Sequence, residues 1–474
     1  MFSTHERATR AWVLALASAA SFMVALDALV VSTALSTIRT SLGASIEELA
    51  WTLSAYNLSF AMLLLTGAEL GDRFGRRRVF AIGVAVFTAA SIGCAVAANI
   101  GWLIAARAAQ GASAAMVTPL GLALLSAEFP REERAKALGI FSSLTGLALI
   151  SGPVVGGLLV QNIDWHWIFW VNVPVGLIII PLVLTRLPES RGPAAGFDLL
   201  GLLLGTTSAF GVVWALVRGN QVGWTTLEVL AAALGGLLLG AGFVAWERFT
   251  RQPIVPLRMF GSAAFSSGVA ACFLFTASLY GTLFFLAQFF QTAQGLDPLQ
   301  AGARVLPWTA TLFVVAPIAG SLVSRVGERA LMVSGSMLQA LGMAWIGLIA
   351  TPAVSFAELI APLVIAGAGV SMAMPAAQNA VLGAVAPGQL GKASGTYNML
   401  RFLGGVFGIA IAVAAFTFTG GYGSPQAFAV GFVTAVGVSA TLALLGAIAG
   451  LWQPGRIKLS VLPTEATADV QVSA

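Results

Sequence analysis

Apolar residues run along this chain in stretches of roughly 20, broken by short polar or charged interruptions, from near the N-terminus to Trp452. A helix rising about 1.5 Å per residue needs about 20 apolar residues to cross the hydrocarbon core of a bilayer. A window of that length predicts fourteen membrane spans, over 12–36, 50–70, 79–98, 102–126, 137–160, 167–185, 198–217, 226–246, 265–290, 300–323, 330–350, 357–383, 396–419 and 428–452. The narrowest separation lies between the third and fourth, where Asn99 to Gly101 make the turn. The run from Ala11 to Ile38 is too long for the apolar region of a signal peptide and contains Asp27, so it reads as a retained first span. No stretch is left for a sizeable soluble domain, and the polar tail 453–474 is expected to be short and disordered.

Composition removes the soluble alternative. Of 474 residues 58% are hydrophobic and 9% charged, against about 25% charged in a typical soluble domain. The expected class is an all-α integral membrane protein. The net charge of +5 matters less than its placement, and no nucleic-acid partner is expected. Between the second and third spans, Leu70-Gly-Asp-Arg-Phe-Gly-Arg-Arg-Arg78 holds four arginines and an aspartate. Each such charge costs about 2.5–3.5 kcal/mol at the bilayer centre, so this block is a tight turn at the surface. Its basic character makes that surface cytoplasmic. With both termini placed there, every Lys and Arg outside the spans except Arg39, Arg218 and Arg304 lies on the same side. The inverted orientation breaks the positive-inside rule by the same margin, and an odd span count would misplace the C-terminal half. Cys94 and Cys272 fall within apolar stretches and read as packing residues, with neither a disulfide nor a metal site expected.

Two ionisable groups lie unambiguously within spans, Asp27 in the first and Arg107 in the fourth. Lipid does not tolerate either, so each is expected to face the bundle interior or a wet cavity. The pair reads as a proton-accepting carboxylate with a basic neighbour, or as a static ion pair joining the two spans. In the fifth span Gly139, Gly152, Pro153, Gly156 and Gly157 permit close backbone approach, and the proline permits a bend. Sparse polar groups (Asn57, Gln110, Gln288, Gln291, Gln378, Asn379, Asn398 and Arg401) stand among the aromatics Tyr56, Tyr280, Phe284, Phe285, Trp308 and Tyr397. Together they suit a greasy cavity with a few hydrogen-bonding points; singly, each suits a helix–helix contact. Trp165, Trp167 and Trp224 sit at expected external span ends, as interfacial belt residues do.

A second copy of the basic turn appears after the tenth span, where Gly320-Ser-Leu-Val-Ser-Arg-Val-Gly-Glu-Arg329 echoes Ala68-Glu-Leu-Gly-Asp-Arg-Phe-Gly-Arg-Arg77. Two such halves suggest a duplicated bundle of the kind transporters use. With the other motifs, in this order, the chain resembles the major facilitator superfamily and most closely its fourteen-span drug:proton antiporter family, from about Trp12 to Trp452. Asp27 falls in a segment similar to the family's first-span motif. Leu70 to Arg78 resembles the loop signature Gly-x-Leu-Ala-Asp-Arg-x-Gly-Arg-Arg, carrying Asp72, Arg73, Gly75 and Arg76. Arg107, Gln110 and Gly111 match Arg-x-x-Gln-Gly, and Gly152 to Gly157 match the antiporter motif Gly-Pro-x-x-Gly-Gly, with Gly139 upstream where the family places a glycine. Asp164 to Gly176 looks like the stretch opening the family's sixth span.

The resemblance implies a six-helix bundle over 1–190, two inserted helices over 191–260, a second six-helix bundle over 261–452 and a cytoplasmic tail over 453–474. It implies alternating access by rocking of the bundles, with Asp27 and Arg107 in proton coupling. It also implies that Asp72 steadies the closed cytoplasmic side against a facing helix N-terminus, here the start of span 13 near Ser394. Four positions depart from the family pattern: Ala68 and Ala148 replace glycines, His166 an arginine, and Ser324 the aspartate of the second loop copy.

The expected activity is secondary active export of amphipathic compounds, driven by a proton gradient and without a cofactor, by a monomer in the cell membrane. Without a mid-membrane carboxylate in spans 9–14, monovalent lipophilic cations or neutral compounds are expected rather than dications. A dedicated exporter of one metabolite or antibiotic is the alternative. No phosphate-binding loop is present, since Gly391-Lys392 lacks both the upstream glycine and the following hydroxyl residue. An embedded enzyme is disfavoured by a histidine complement of His5 and His166 and by the lack of a Gly-x-Ser-x-Gly elbow. A channel is disfavoured by too few polar rings.

Overall fold

The computed structural model describes residues 4–192, 198–251, 253–386 and 389–455. The expected tail lies outside the described residues from 456 on, as does the side chain of Ser324. Among the described residues, fourteen helices are long and apolar enough to cross a membrane. In chain order the helices are α1 (Thr4–Leu42), α2 (Ile46–Phe74), α3 (Arg76–Ala95), α4 (Ile100–Glu128), α5 (Arg131–Asn162), α6 (Trp167–Trp170), α7 (Asn172–Arg186), α8 (Leu199–Val222), α9 (Leu227–Phe249), α10 (Ala263–Gln288), α11 (Pro298–Val326), α12 (Glu328–Ile349), α13 (Phe356–Gly383), α14 (Leu390–Thr419) and α15 (Pro425–Leu451). All fourteen expected spans are present. The sixth is broken into α6 and α7, and the thirteenth starts at Leu390, before the apolar run begins.

Local chemistry sets the boundaries. The Ser45 hydroxyl accepts the Glu48 amide at 3.2 Å while the Glu48 carboxylate accepts the Ser45 amide at 2.8 Å, a capping box opening α2. Asn99 caps α4 by accepting the Trp102 amide at 2.9 Å. The two echoed turns adopt the same backbone. Gly75 joins α2 to α3 at φ 107°, and Gly327 joins α11 to α12 at φ 93°. A side chain is strained at such angles, which is why both copies keep glycine there.

Helices α1 to α7 pack on one another, and so do α10 to α15. Helices α8 and α9 pair, and α8 lies along the seam where α2 meets α14. The other seam joins α5 to α11 and is not uniform along its length. The end of the molecule bearing the Leu70–Arg78 turn is here termed the basic end, and the opposite one the far end. At the far end a Cβ on Gly157 would stand 2.6 Å from the Pro298 carbonyl oxygen, and one on Gly302 would stand 2.2 Å from that of Pro153. Midway, Gly146 has only a Phe313 ring carbon at 3.9 Å. Towards the basic end Gly139 and Gly320 face open space. The two helices are thus sealed at the far end and diverge towards the basic end.

Candidate functional site

The charged core of the first bundle is built by five helices. Asp27 of α1 and Arg107 of α4 are 1% and 0% exposed and form an ion pair through Arg107 Nη1 and Asp27 Oδ2. A buried pair is tolerated only when its remaining polar valences are met. Here Gln110 Nε2 and Asn172 Nδ2 both donate to Asp27 Oδ1, at 3.1 and 2.8 Å. The hydroxyl of Ser91 on α3 receives both amides, at 2.8 and 3.4 Å. Arg107 Nη1 also reaches Gln110 Oε1 at 2.8 Å, and its Nε donates to the Thr52 carbonyl of α2 at 3.2 Å. The guanidinium lies 4.3 Å from the centre of the Tyr56 ring and 5.8 Å from that of Phe169. Among the described residues, Arg107 Nη2 has no hydrogen-bond partner. Cys94, expected as packing, also donates to Gln110 Oε1 at 3.2 Å.

Sequence reasoning found Asp27, Arg107 and Gln110 but missed Ser91, Thr52 and Asn172. Asn172 carried a usable signal, as the amide within Trp-Val-Asn-Val-Pro at the start of the sixth span. The break between α6 and α7 presents it to Asp27. The network belongs to the interior of the first bundle, and aromatics lead from it to the opposite half. Tyr56 stacks on Phe60 at 6.3 Å, and Phe60 meets Phe402 of α14 at 4.4 Å.

In this state the basic turn is held by its own residues and by the segment after α7. Asp72 accepts Arg76 Nε at 2.8 Å within its own turn and, among the described residues, makes no hydrogen bond with Ser394. Residues 189–192, after α7, fold back over it: a Cβ on Gly192 would stand 2.3 Å from the Asp72 carboxylate. Glu189, which sequence reasoning overlooked, accepts the Arg77 amide at 3.0 Å and pairs with the side chains of Arg77 and Arg78 at 3.7 and 3.6 Å. Arg73 lies over the neighbouring Phe74 ring at 5.4 Å. The start of α14 instead meets α2 at Gly395, where a Cβ would stand 2.0 Å from a Leu65 methyl.

The antiporter-motif residues line two contacts. A Cβ on Gly152 would approach Leu29 Cβ at 2.8 Å, and one on Gly156 would approach Thr33 Oγ1 at 2.3 Å, both on α1. Pro153 and Gly157 face α11 in the opposite half. A Cβ on Gly139 would meet nothing within 4 Å among the described residues.

Several residues expected to line one cavity stand apart from one another. Gln378 and Asn379 are exposed near the basic end of α13, where Asn379 donates to Glu328 at 2.8 Å. Trp308 is fully buried against Gly367 of α13, and Asn57 is buried in α2. Gln288 is fully buried at the far end, where it donates to the Phe284 carbonyl at 2.6 Å and accepts the Tyr422 hydroxyl. Span residues do not declare their face without a partner, which is why these assignments failed. Gln288 instead belongs to a seal. The Arg39 guanidinium sits 3.8 Å over the Tyr422 ring, Gln291 donates to the Thr33 carbonyl at 2.9 Å, and the Leu299 amide donates to Gln161 at 3.3 Å. Nearby, burial alone would raise the Asp164 carboxyl, but hydrogen bonds from the His166 backbone and ring outweigh it and hold it below the usual carboxylate range.

Two helical bundles joined by paired seams, with a buried ion pair inside one of them, define a multi-pass membrane transporter. The family model of the Major Facilitator Superfamily matches residues 17–409, and the chain belongs to that superfamily. It is 35% identical over 393 residues to the multidrug resistance protein Stp of Mycobacterium tuberculosis, covering 82% of this chain and 73% of that one. It is 36% identical over 334 residues to the tetracenomycin C resistance and export protein of Streptomyces glaucescens, covering 70% and 62%. It is 34% identical over 434 residues to the cephamycin export protein CmcT of Amycolatopsis lactamdurans, covering 90% and 89%. Among solved structures, a peptide transporter POT in complex with sulfate matches with a TM-score of 0.69 at 14% identity, covering 93% of each chain. An inward-facing, occupied bacterial homolog of the human lysosomal transporter Spinster matches at 0.66 and 18% identity, covering 94% and 96%. At these identities the structures speak for the fold alone.

Proposed function

We propose that the chain exports amphipathic drugs or antibiotic-type metabolites from the cell in exchange for protons, with Asp27 as the proton carrier. The observation that carries the coupling is the single-carboxylate network at Asp27, both of whose carboxylate oxygens have partners. One guanidinium and two amides hold the carboxylate when ionised, and a proton taken up by Asp27 leaves the Arg107 charge without its counter-ion. Loading the proton therefore frees Arg107 and loosens the links from α1 to α4 and α7, a change the bundle can transmit. The export direction follows the relatives, named for multidrug resistance and for the export of tetracenomycin C and cephamycin. We place the basic end in the cytoplasm from the distribution of Lys and Arg, which makes the state with the sealed far end the inward-facing one. On this reading the bundles span 1–190 and 261–452, residues 191–260 supply the inserted pair, and the unit is a monomer.

A pH difference of one unit across the membrane supplies about 1.4 kcal/mol per proton, enough for tenfold accumulation. In proteoliposomes holding the purified protein, an imposed pH gradient is expected to drive substrate uptake against its own gradient. Collapse of the pH gradient by nigericin should abolish it. Uptake indifferent to nigericin would refute proton coupling. A dedicated exporter is the second reading, favoured by relatives named for single antibiotics. Protection of an expressing strain against one scaffold, and not against unrelated compounds, would select it.

A further inference from the structure

Arg401 of α14 carries a fixed charge beside the seam between α2 and α14. Arg401 lies eleven residues into α14, about 16 Å from its basic end at 1.5 Å per residue. It is half-buried, on a stripe with the half-buried Ser394 and Asn398, while Ala393, Thr396 and Tyr397 beside them are buried. Its guanidinium lies over the Phe402 ring at 4.7 Å. Among the described residues it makes no ion pair and no hydrogen bond. An arginine at that depth is costly and is kept where it meets a partner. Among the described residues no carboxylate pairs with it. Asp27 is consumed by Arg107, Gln110 and Asn172, and Glu69 of α2 stands near the basic end within electrostatic range of Lys392.

The surroundings suit an amphiphile with an acidic group. The hydroxyls of Tyr280 on α10 and Tyr397 on α14 lie within electrostatic range of the guanidinium, and Tyr280 is also within such range of Tyr56 across the seam. Phe402, Phe60 and Tyr56 continue as an aromatic wall towards the Arg107 site. We propose that Arg401, with Tyr280 and Asn398, forms a subsite for the carboxylate or ionised phenol of the transported molecule, whose apolar body lies against Phe60 and Phe402. This rests on the export reading above. With no carboxylate paired to Arg401 among the described residues, a positive charge stands at the seam and places acidic amphiphiles ahead of cations. A guanidinium–carboxylate pair, bidentate where geometry allows, gives such a site its selectivity.

The test uses three probes of one skeleton: pyrenebutyric acid, its methyl ester and pyrenylbutyl trimethylammonium. Their binding to the full-length protein in detergent is read by energy transfer from the protein's tryptophans. The wild type is expected to bind the acid at least about tenfold more tightly than the ester or the cation. Arg401→Gln should bring acid and ester to near parity with ester affinity unchanged, and Arg401→Lys should restore part of the preference. A wild type without acid preference, including one that binds neither acid nor ester, overturns the proposal, and so does R401Q with the preference intact. Should R401Q not fold, the wild-type ratio alone decides. Failure of the export reading would look different: the acid preference would persist while no probe moved under a pH gradient.

Discussion

Replacing Gly157 with alanine tests how the far end is sealed. The added methyl would stand 2.6 Å from the Pro298 carbonyl oxygen and 2.7 Å from Leu299 Cα, both backbone atoms that cannot swing aside. Relief requires α5 and α11 to separate by most of an ångström, and overpacking of this kind costs about 1–3 kcal/mol. The cost falls on the state in which these backbones touch, because Gly157 faces the opposite bundle and not its own. The population ratio should therefore shift about 5- to 150-fold towards the state with the far end open. Spin labels at Gln161→Cys and Gln300→Cys, both exposed beside the seal, report the separation by pulsed dipolar spectroscopy. Cys94 and Cys272 are fully buried and stay unlabelled. The expected outcome is a longer-distance population in G157A and a single short distance in the parent. Gly139→Ala, which meets open space, should leave that short distance in place. An unchanged distance distribution in G157A would refute the link between these glycines and the seal.

Gly156→Ala presses on Thr33 and Val30 within the first bundle, so it should lower the thermal unfolding temperature in detergent without creating the long-distance population. Asn172→Ala removes a donor to a buried carboxylate; a stability loss of about 1–3 kcal/mol is expected by thermal melt, and no loss would deny it a place in the network. Glu189→Gln weakens partly exposed pairs to Arg77 and Arg78, so its cost should stay within about 1 kcal/mol, with a larger loss contradicting the exposure argument. An acidic amphiphile leaving in exchange for one proton moves two charges in the same sense. In valinomycin-clamped liposomes 100 mV should then add about 4.6 kcal/mol of drive, twice the single-charge value. Transport insensitive to potential would point to a monovalent cation.

What could be read without coordinates divides along physical lines. The spans were legible because hydrocarbon imposes a length and penalises charge, and Asp27 and Arg107 stood out because that penalty must be offset. The glycine turns at Gly75 and Gly327 were legible as an echo, since positive φ leaves the chain one suitable residue. The partners of these groups were not legible. Ser91 reaches Asp27's partners only through the rotation of α3, and Glu189 and Tyr422 reach Arg77 and Gln288 only through the path of the segments after α7 and α14; Asn172 alone carried a signal, in the stretch that opens the sixth span. The same blindness to rotation placed Gln288, Trp308, Gln378 and Asn379 in a common cavity, when burial and exposure scatter them. Asp72 was assigned to the start of α14 by resemblance, whereas its own Arg76 holds it in this state.

The most direct test of proton carriage is substrate-induced proton release in inverted vesicles from cells expressing Asp27→Asn. Asparagine keeps the shape and can still accept hydrogen bonds from Gln110 and Asn172, but it cannot take up the transported proton. The expected result is full insertion and substrate binding with drug-induced proton release abolished. Unaltered proton release from that variant would contradict the assignment of Asp27 as the carrier.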